Sequence, residues 1–313
     1  MFTSNFLAVT VIATVCLFNN VQSEQYTPIV MWHGMGDSCC FSFSLGAVKK
    51  SLEELLPGVY VLSVQLGSSL IEDVENGYFM HPDKQVQKVC DMLARDPQLA
   101  NGYNAIGFSQ GAQFLRAIAQ RCPTPQMKNL ISLGGQHQGV YGLPNCGSLS
   151  HPACNYIRKL LNYAAYLSWV QNFLTQATYW HDPLNEAKYI DGSTFLADIN
   201  NEKIINKTYV TNLMKLENLI LVRFDNDSIV QPVDTEWFGF YKPGQDKLTQ
   251  TLQESDIYQT DRLGLRQMES AGKLHFLASP GNHLQFTWPW FTENILNVFL
   301  KPKPENNEYD SRF

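Results

Sequence analysis

The sequence predicts an α/β fold, a mostly parallel sheet with helices on both faces. Three observations carry that expectation. Short apolar runs alternate with helix-spaced apolar positions from residue 27 to residue 133. A Gly-x-Ser-x-Gly stands where one such run turns into a helix. The rhythm stops at Gly134 and resumes at Leu219. Strands that alternate with helices lie parallel, and their crossovers cover the sheet on both faces.

Residues 27–32 form the first apolar run, which ends in His33-Gly34-Met35-Gly36-Asp37. Leu45, Val48, Leu52, Leu55 and Leu56 follow at helical spacing, and Pro57-Gly58 stops them. Residues 59–64 read as a strand. Val86, Val89, Cys90 and Leu93 mark the next helix. Residues 104–108 read as a strand, 111–121 as a helix and 129–133 as a strand. From Gly134 to about residue 216 there are helical segments and loops without a clean strand. Alternation resumes with strands at 219–224 and 274–278 and a helix at 290–300. The middle block therefore reads as a helical cap inserted at about 141–217 in a single domain spanning 24–313. From Lys301 the tail is polar.

Of the 313 residues, 44% are hydrophobic and only 17% charged, with a net charge of −6. That composition supports a large core and lacks the basic patch that a nucleic-acid partner requires. Residues 6–18 form an apolar run of about 13 residues, short for a bilayer span and suited to a signal-peptide core. Cleavage is expected after Ser23, and no later stretch suits a transmembrane helix. Of the seven cysteines, Cys16 would leave with the leader. Cys39, Cys40, Cys90, Cys122, Cys146 and Cys154 remain, an even number that suits disulfides in an exported chain. Cys146 and Cys154 could close a short loop, and Cys39-Cys40 could form a vicinal bridge, but spacing does not choose the pairing. The sequons at Asn206 and Asn226 fit the same lumenal route.

The chemistry centres on Gly107-Phe108-Ser109-Gln110-Gly111. Its strand-to-helix context is what a nucleophile elbow demands, and the tight turn leaves little room for side chains two positions either side of the serine. The oxyanion hole needs two donors. The backbone N–H of Gln110 supplies one, and Met35, in the loop after the first strand, is the candidate for the other. In this arrangement the acid and then the base follow the serine in the chain. His275 lies inside a strand, whereas His283 follows it in a loop, so His283 is the expected base. Asp225, Asp227 and Asp234 compete as the acid, and Asp227 has the room to turn back toward the site. Asn226 can face solvent while Asp227 faces inward, because successive side chains in extended backbone point opposite ways. His33 precedes the serine and reads as a loop-shaping residue. No H-E-x-x-H or paired ligand spacing occurs, so neither a metal nor another cofactor is expected.

With these residues in place, the chain resembles the palmitoyl-protein thioesterases, lysosomal depalmitoylating enzymes, and specifically their type 1 form. The resemblance covers nearly the whole mature chain. Its most specific stretches are HGMGDSCC (33–40), NAIGFSQGAQFLRA (104–117), SLGGQHQGVYGLP (132–144), YWHDP (179–183), FLADIN (195–200), NDSIVQPVD (226–234), EWFGFY (236–241) and DRLGL (261–265). It implies an α/β-hydrolase fold, a triad of Ser109, Asp227 and His283, and oxyanion donors at Met35 and Gln110. It also implies the pairings Cys39–Cys40, Cys90–Cys122 and Cys146–Cys154, and lysosomal residence. The implied partners are S-acylated proteins or peptides and acyl thioesters. Two departures stand out: Asp191-Gly-Ser replaces a third sequon of mammalian members, and Ala112 replaces a family glycine.

An acyl chain needs an apolar groove. Tyr156, Ile157, Leu160, Leu161, Tyr163, Ala164, Tyr166, Trp169, Val170, Phe173 and Leu174 are candidate lining residues, with Trp237, Phe238 and Phe240. A histidine base must be neutral for deacylation, so activity should favour neutral to mildly acidic pH. The rival readings are a lipase or carboxylesterase cutting oxygen esters, and a catalytically inactive hydrolase fold used for binding.

Overall fold

The computed structural model of the chain describes residues 26–142, 161 and 163–302. The expected signal segment 1–23, Cys146 and Cys154 lie outside the described residues. Six strands form one sheet: β1 (Ile29–Trp32), β2 (Val61–Ser63), β3 (Tyr103–Phe108), β4 (Met127–Leu133), β5 (Asn218–Phe224) and β8 (Leu274–Ser279). Their order is β2-β1-β3-β4-β5-β8, and every neighbouring pair is parallel. Between β5 and β8, the strands β6 (Phe240–Tyr241) and β7 (Thr249–Gln250) form a small antiparallel pair.

A strand covered on both faces shows no polar alternation, which is why these segments read as continuous apolar runs. The period of two reappears in the packing. Val30, Trp32, Ala105, Leu130, Leu219 and Leu221 enter one core with Val86, Val89 and Leu93 of α3 (Pro82–Arg95) and Phe114, Leu115 and Ile118 of α4 (Gln110–Arg121). Their alternates Ile29, Met31, Ile106, Phe108, Ile131, Leu133, Ile220 and Val222 enter a second core on the other face. There they meet Leu45 and Leu52 of α1 (Leu45–Leu55) and the carboxyl-terminal Phe291, Ile295 and Leu296. Leu55, expected on the α1 stripe, is exposed instead.

One helix escaped the sequence reading. The helix α2 (Leu70–Phe79) buries only Asp73 and Gly77, so it has no apolar stripe to reveal it. Its signal was Ser69-x-x-Glu72, a capping-box spacing, and the Ser69 side chain does accept the Glu72 N–H. Between β4 and β5 the described chain is helical, with α5 (Ser168–Phe173), α6 (Glu186–Gly192), α7 (Leu196–Ile199) and α8 (Lys207–Leu213).

The sheet order places the site. From β1 the chain moves outward to β2, then returns to place β3 on the other side of β1. The crevice beyond the carboxyl ends of two such strands is where open parallel sheets bind ligands. Trp32 ends β1, opposite Gly107 of β3. The loops carrying Met35 and Ser109 therefore leave the sheet side by side.

Candidate active site

Ser109 sits between β3 and α4 with φ 53° and ψ −120°, a left-handed conformation that a non-glycine residue adopts only under tight constraint. The flanking glycines show the constraint. A Cβ at Gly107 would stand 2.2 Å from Ala112 Cα, and one at Gly111 would stand 2.3 Å from the Trp32 carbonyl oxygen. Ala112 itself is accommodated and buried. The Ser109 N–H donates to the Leu133 carbonyl at 2.8 Å, which ties the elbow to the end of β4.

Gln110 follows the serine, and the loop carrying Met35 comes close to it. The loop after β1 runs against it, for a Cβ at Gly34 would lie 3.2 Å from Ser109 Cβ. Gln110 begins α4, and its buried side chain is fully engaged. Nε2 donates to the Gly77 carbonyl at 3.0 Å, while Oε1 accepts from the Tyr179 hydroxyl at 2.8 Å and from Gln176 at 3.3 Å. The backbone N–H at the helix start is thus held in place by its own side chain.

The Met35 loop hangs on a buried ion pair. His33 Nε2 faces Asp73 Oδ1 at 3.2 Å, and Nδ1 faces the Gly34 carbonyl at 2.9 Å. Both ring nitrogens meet acceptors, which suits the doubly protonated imidazolium. Burial alone would lower the His33 pKa, but the hydrogen bond and charge of Asp73 outweigh it and raise it. Asp73 also accepts from Ser38 Oγ at 2.8 Å and from the backbone N–H groups of Cys39 (2.9 Å) and Leu66 (2.6 Å). Burial pushes its carboxyl up, but these donors and the His33 charge hold it below the ordinary value. The expected loop-shaping role of His33 has this geometry.

His283 and Asp227 meet directly, Nδ1 against Oδ2. Asp227 Oδ1 accepts the N–H groups of Ile229 at 2.7 Å and Val230 at 2.9 Å. Asn282 Oδ1 accepts from the His283 N–H at 2.7 Å and the Ser228 N–H at 2.9 Å, so the acid loop and the base loop are laced together. Below them, Asp225 N–H donates to the Ser279 carbonyl and Asn226 N–H to the Gly281 carbonyl, extending the β5–β8 ladder toward the site. Burial pushes the Asp227 carboxyl up, yet the hydrogen bond and charge of His283 and the backbone N–H groups hold it below its usual value. The imidazole stands against Gly134, where a Cβ would come within 3.0 Å of Cε1. Gly134 follows Leu133, the residue that holds the Ser109 amide. Among the described residues the Ser109 hydroxyl makes no hydrogen bond, which does not count against a catalytic hydroxyl, because such bonds are often long before substrate binds.

His275 bonds Asn218 Oδ1 at 2.8 Å within the sheet. Cys39 is bonded to Cys40, and Cys90 to Cys122. Asn226 is exposed beside the buried Asp227 side chain. Asn206 caps α8, its Oδ1 accepting the Thr208 N–H.

The groove residues divide. Leu161, Val170 and Leu174 pack with Ala165, Ala177 and Trp180 into a small core of their own, whereas Tyr163, Trp169 and Phe173 are exposed. Tyr156, Ile157 and Leu160 lie outside the described residues. Phe238 is buried and stacked on His137, Phe240 is stacked on His181, and Trp237 Nε1 donates to the Leu221 and Leu277 carbonyls. The last three are packing residues, because each ring is already occupied by a protein partner.

The sequence reading gave no role to Glu236, Asp73, Tyr179 or Gln176. The first two signal themselves only as buried acids, and burial is a property of the tertiary fold.

Comparison with known proteins agrees with this architecture. The family described as palmitoyl protein thioesterase matches residues 28–283. Palmitoyl-protein thioesterase 1 of Caenorhabditis elegans is 52% identical over 287 residues, covering 92% of this chain and 95% of that protein. Palmitoyl-protein thioesterase 3 of Dictyostelium discoideum is 35% identical, covering 86% of this chain and 91% of that one. A human lysosomal thioesterase, PPT2, is 28% identical, covering 80% of this chain and 79% of that one. With its parallel sheet, its elbow and these matches, the chain is an α/β-hydrolase and belongs to the palmitoyl-protein thioesterase family.

Proposed function

We propose that the chain hydrolyses the thioester joining a long-chain fatty acyl group to a cysteine of a lipidated protein or peptide, with Ser109 as nucleophile. Family membership gives the thioester and the palmitoyl group. The observation that carries the residue roles is the strained Ser109 elbow facing the crevice that the Asp227–His283 pair also borders. Ser109 Oγ attacks the acyl carbon and His283 Nε2 takes its proton. The tetrahedral oxyanion falls to the Met35 and Gln110 N–H groups. Collapse breaks the carbon–sulfur bond, and the thiolate leaves with the proton from His283. Water, activated by the same imidazole, then attacks the acyl-enzyme and releases the fatty acid. Asp227 holds the Nδ1–H tautomer throughout.

The helical stretch between β4 and β5 serves as a cap over this crevice, with the exposed Trp169 and Phe173 at its surface. Residues 1–23 act as a signal peptide, and the mature protein reaches the lysosome glycosylated at Asn206 and Asn226. The disulfides Cys39–Cys40 and Cys90–Cys122 support an oxidising route. Among the described residues no helix is long and apolar enough to cross a membrane.

A serine-directed fluorophosphonate, followed by identification of the modified peptide, tests the assignment. Labelling on the peptide containing Ser109, lost in Ser109→Ala together with palmitoyl-thioester turnover, is expected. Retained turnover in Ser109→Ala refutes it. Faster hydrolysis of a triglyceride than of a palmitoyl thioester would move the substrate to oxygen esters.

A further inference from the structure

Behind the Asp227–His283 pair lies a second carboxyl group. Glu236 sits in the tight turn Val233–Trp237, and its side chain is fully buried. Oε2 accepts the Phe224 N–H at 2.8 Å, at the end of β5. Oε1 has no hydrogen-bond donor among the described residues and lies 4.0 Å from His283 Nδ1. A carboxylate oxygen of Glu236, one of Asp227 and a ring nitrogen of His283 all lie within 4.8 Å of one another.

Two buried carboxylates this close do not both ionise, because each disfavours the charge of the other and neither is solvated. The hydrogen bonds decide which one keeps the proton. Asp227 receives two backbone N–H groups and the imidazole. Glu236 receives one N–H. The charge therefore settles on Asp227, and the bare oxygen of Glu236 carries the proton.

We propose that Glu236 is a positioning residue of the acid–base relay, a protonated carboxyl that donates to Asp227 and holds that carboxylate against His283. The inference rests on the proposed triad. The surrounding charges agree. Burial first, and then the neighbouring Asp227 carboxylate, push the Glu236 carboxyl up to about 10. The cation that acts on Glu236, Arg223 of β5, is engaged by Asp225 at 3.0 Å and Asp234 at 3.7 Å. His137, from the loop after β4, stacks on Phe238 and is held neutral by burial and by the Arg116 charge. The relay thus presents one negative charge to the imidazole, not two.

The full chain with Glu236→Ala, Glu236→Gln or Ser109→Ala is assayed on a palmitoyl thioester from about pH 4 to about pH 9, giving kcat and KM separately. Glu236→Ala is expected to lower kcat about tenfold or more with little change in KM, since a donor to a charged acceptor is lost. Glu236→Gln, which still accepts the Phe224 N–H and still donates to Asp227, is expected to recover most of that loss, to within about fivefold of the parent. Its acid limb is expected to stay in place. If Glu236 were ionised, the glutamine would remove a negative charge beside the imidazole. The acid limb would then move to lower pH by about one unit or more, which would overturn the proposal. Unchanged kcat in Glu236→Ala would also overturn it, and if that variant fails to fold, the Glu236→Gln profile decides alone. Activity lost to a chelator and restored by a divalent cation would give these three side chains to a metal instead. Ser109→Ala separates the two levels: retained turnover there removes the triad, whereas lost turnover beside an unaffected Glu236→Ala removes only the role of Glu236.

Discussion

The two sides of the Ser109 crevice solve one problem in different ways. On the side of the Met35 loop, a buried histidine faces a single carboxylate, Asp73, which also accepts one hydroxyl and two backbone N–H groups. On the side of His283, the histidine faces two carboxyls, Asp227 and Glu236, and the second has one backbone donor. A carboxylate offers about four acceptor positions. Asp73 fills them and stays ionised with its imidazolium as a static strut. Glu236 cannot fill them and binds a proton. The number of donors reaching each oxygen thus decides which acid carries charge.

The sharpest way to break the comparison is to remove charge from the working side. Asp227→Asn leaves shape intact but offers His283 an amide, and kcat is expected to fall about a thousand- to ten-thousandfold, read by steady-state kinetics. A fall of less than tenfold would mean that another group orients the imidazole. Removing the static strut should act on stability first. Asp73→Ala strands the His33 imidazolium, the Ser38 hydroxyl and two amides in the interior, at a cost of about 3–5 kcal/mol in denaturant unfolding.

The two sides should also part with pH. Asp73 and Asp227 are held below the ordinary aspartate value. Their contribution to stability is complete above that value and is lost as pH falls through their lowered ones. Glu236 is raised to about 10, so its contribution is complete below the ordinary glutamate value and drains away as pH rises toward 10. That loss should run at about 1.4 kcal/mol per pH unit. Comparing unfolding at about pH 5 and about pH 8, Glu236→Gln is expected to flatten this decline, and an unaltered slope would return Glu236 to the ionised state. The smallest expected effect lies at the edge of the strut: Ser69→Ala removes the α2 cap and should cost about 1 kcal/mol by the same measurement.

What the sequence made legible followed its range of action. The elbow is local, since Gly107 and Gly111 are demanded by atoms within a few residues or on the adjoining strand end. The strands announced themselves through apolar runs, and the order serine, acid, base together with loop position pointed to Asp227 and His283. The helix α2 was hidden because its buried face is a carboxylate and a glycine. Glu236 was hidden for a related reason. A charge in the sequence reads as a solvated surface, and only the turn at Val233–Trp237 carries it under the end of β5. Trp237 and Phe240 read as groove lining because they are large and apolar, whereas their rings are engaged by Arg223 and His181. Propensity describes what a side chain prefers; it does not say which neighbour reaches it first.

The strand end at β4 has one more consequence. Leu133 anchors the Ser109 amide, and the next residue, Gly134, backs the His283 ring while its own N–H donates to Val222. Hydroxyl and imidazole therefore ride on two successive peptide units of a single central strand. A shift of that strand end would therefore reach the elbow and the ring at once.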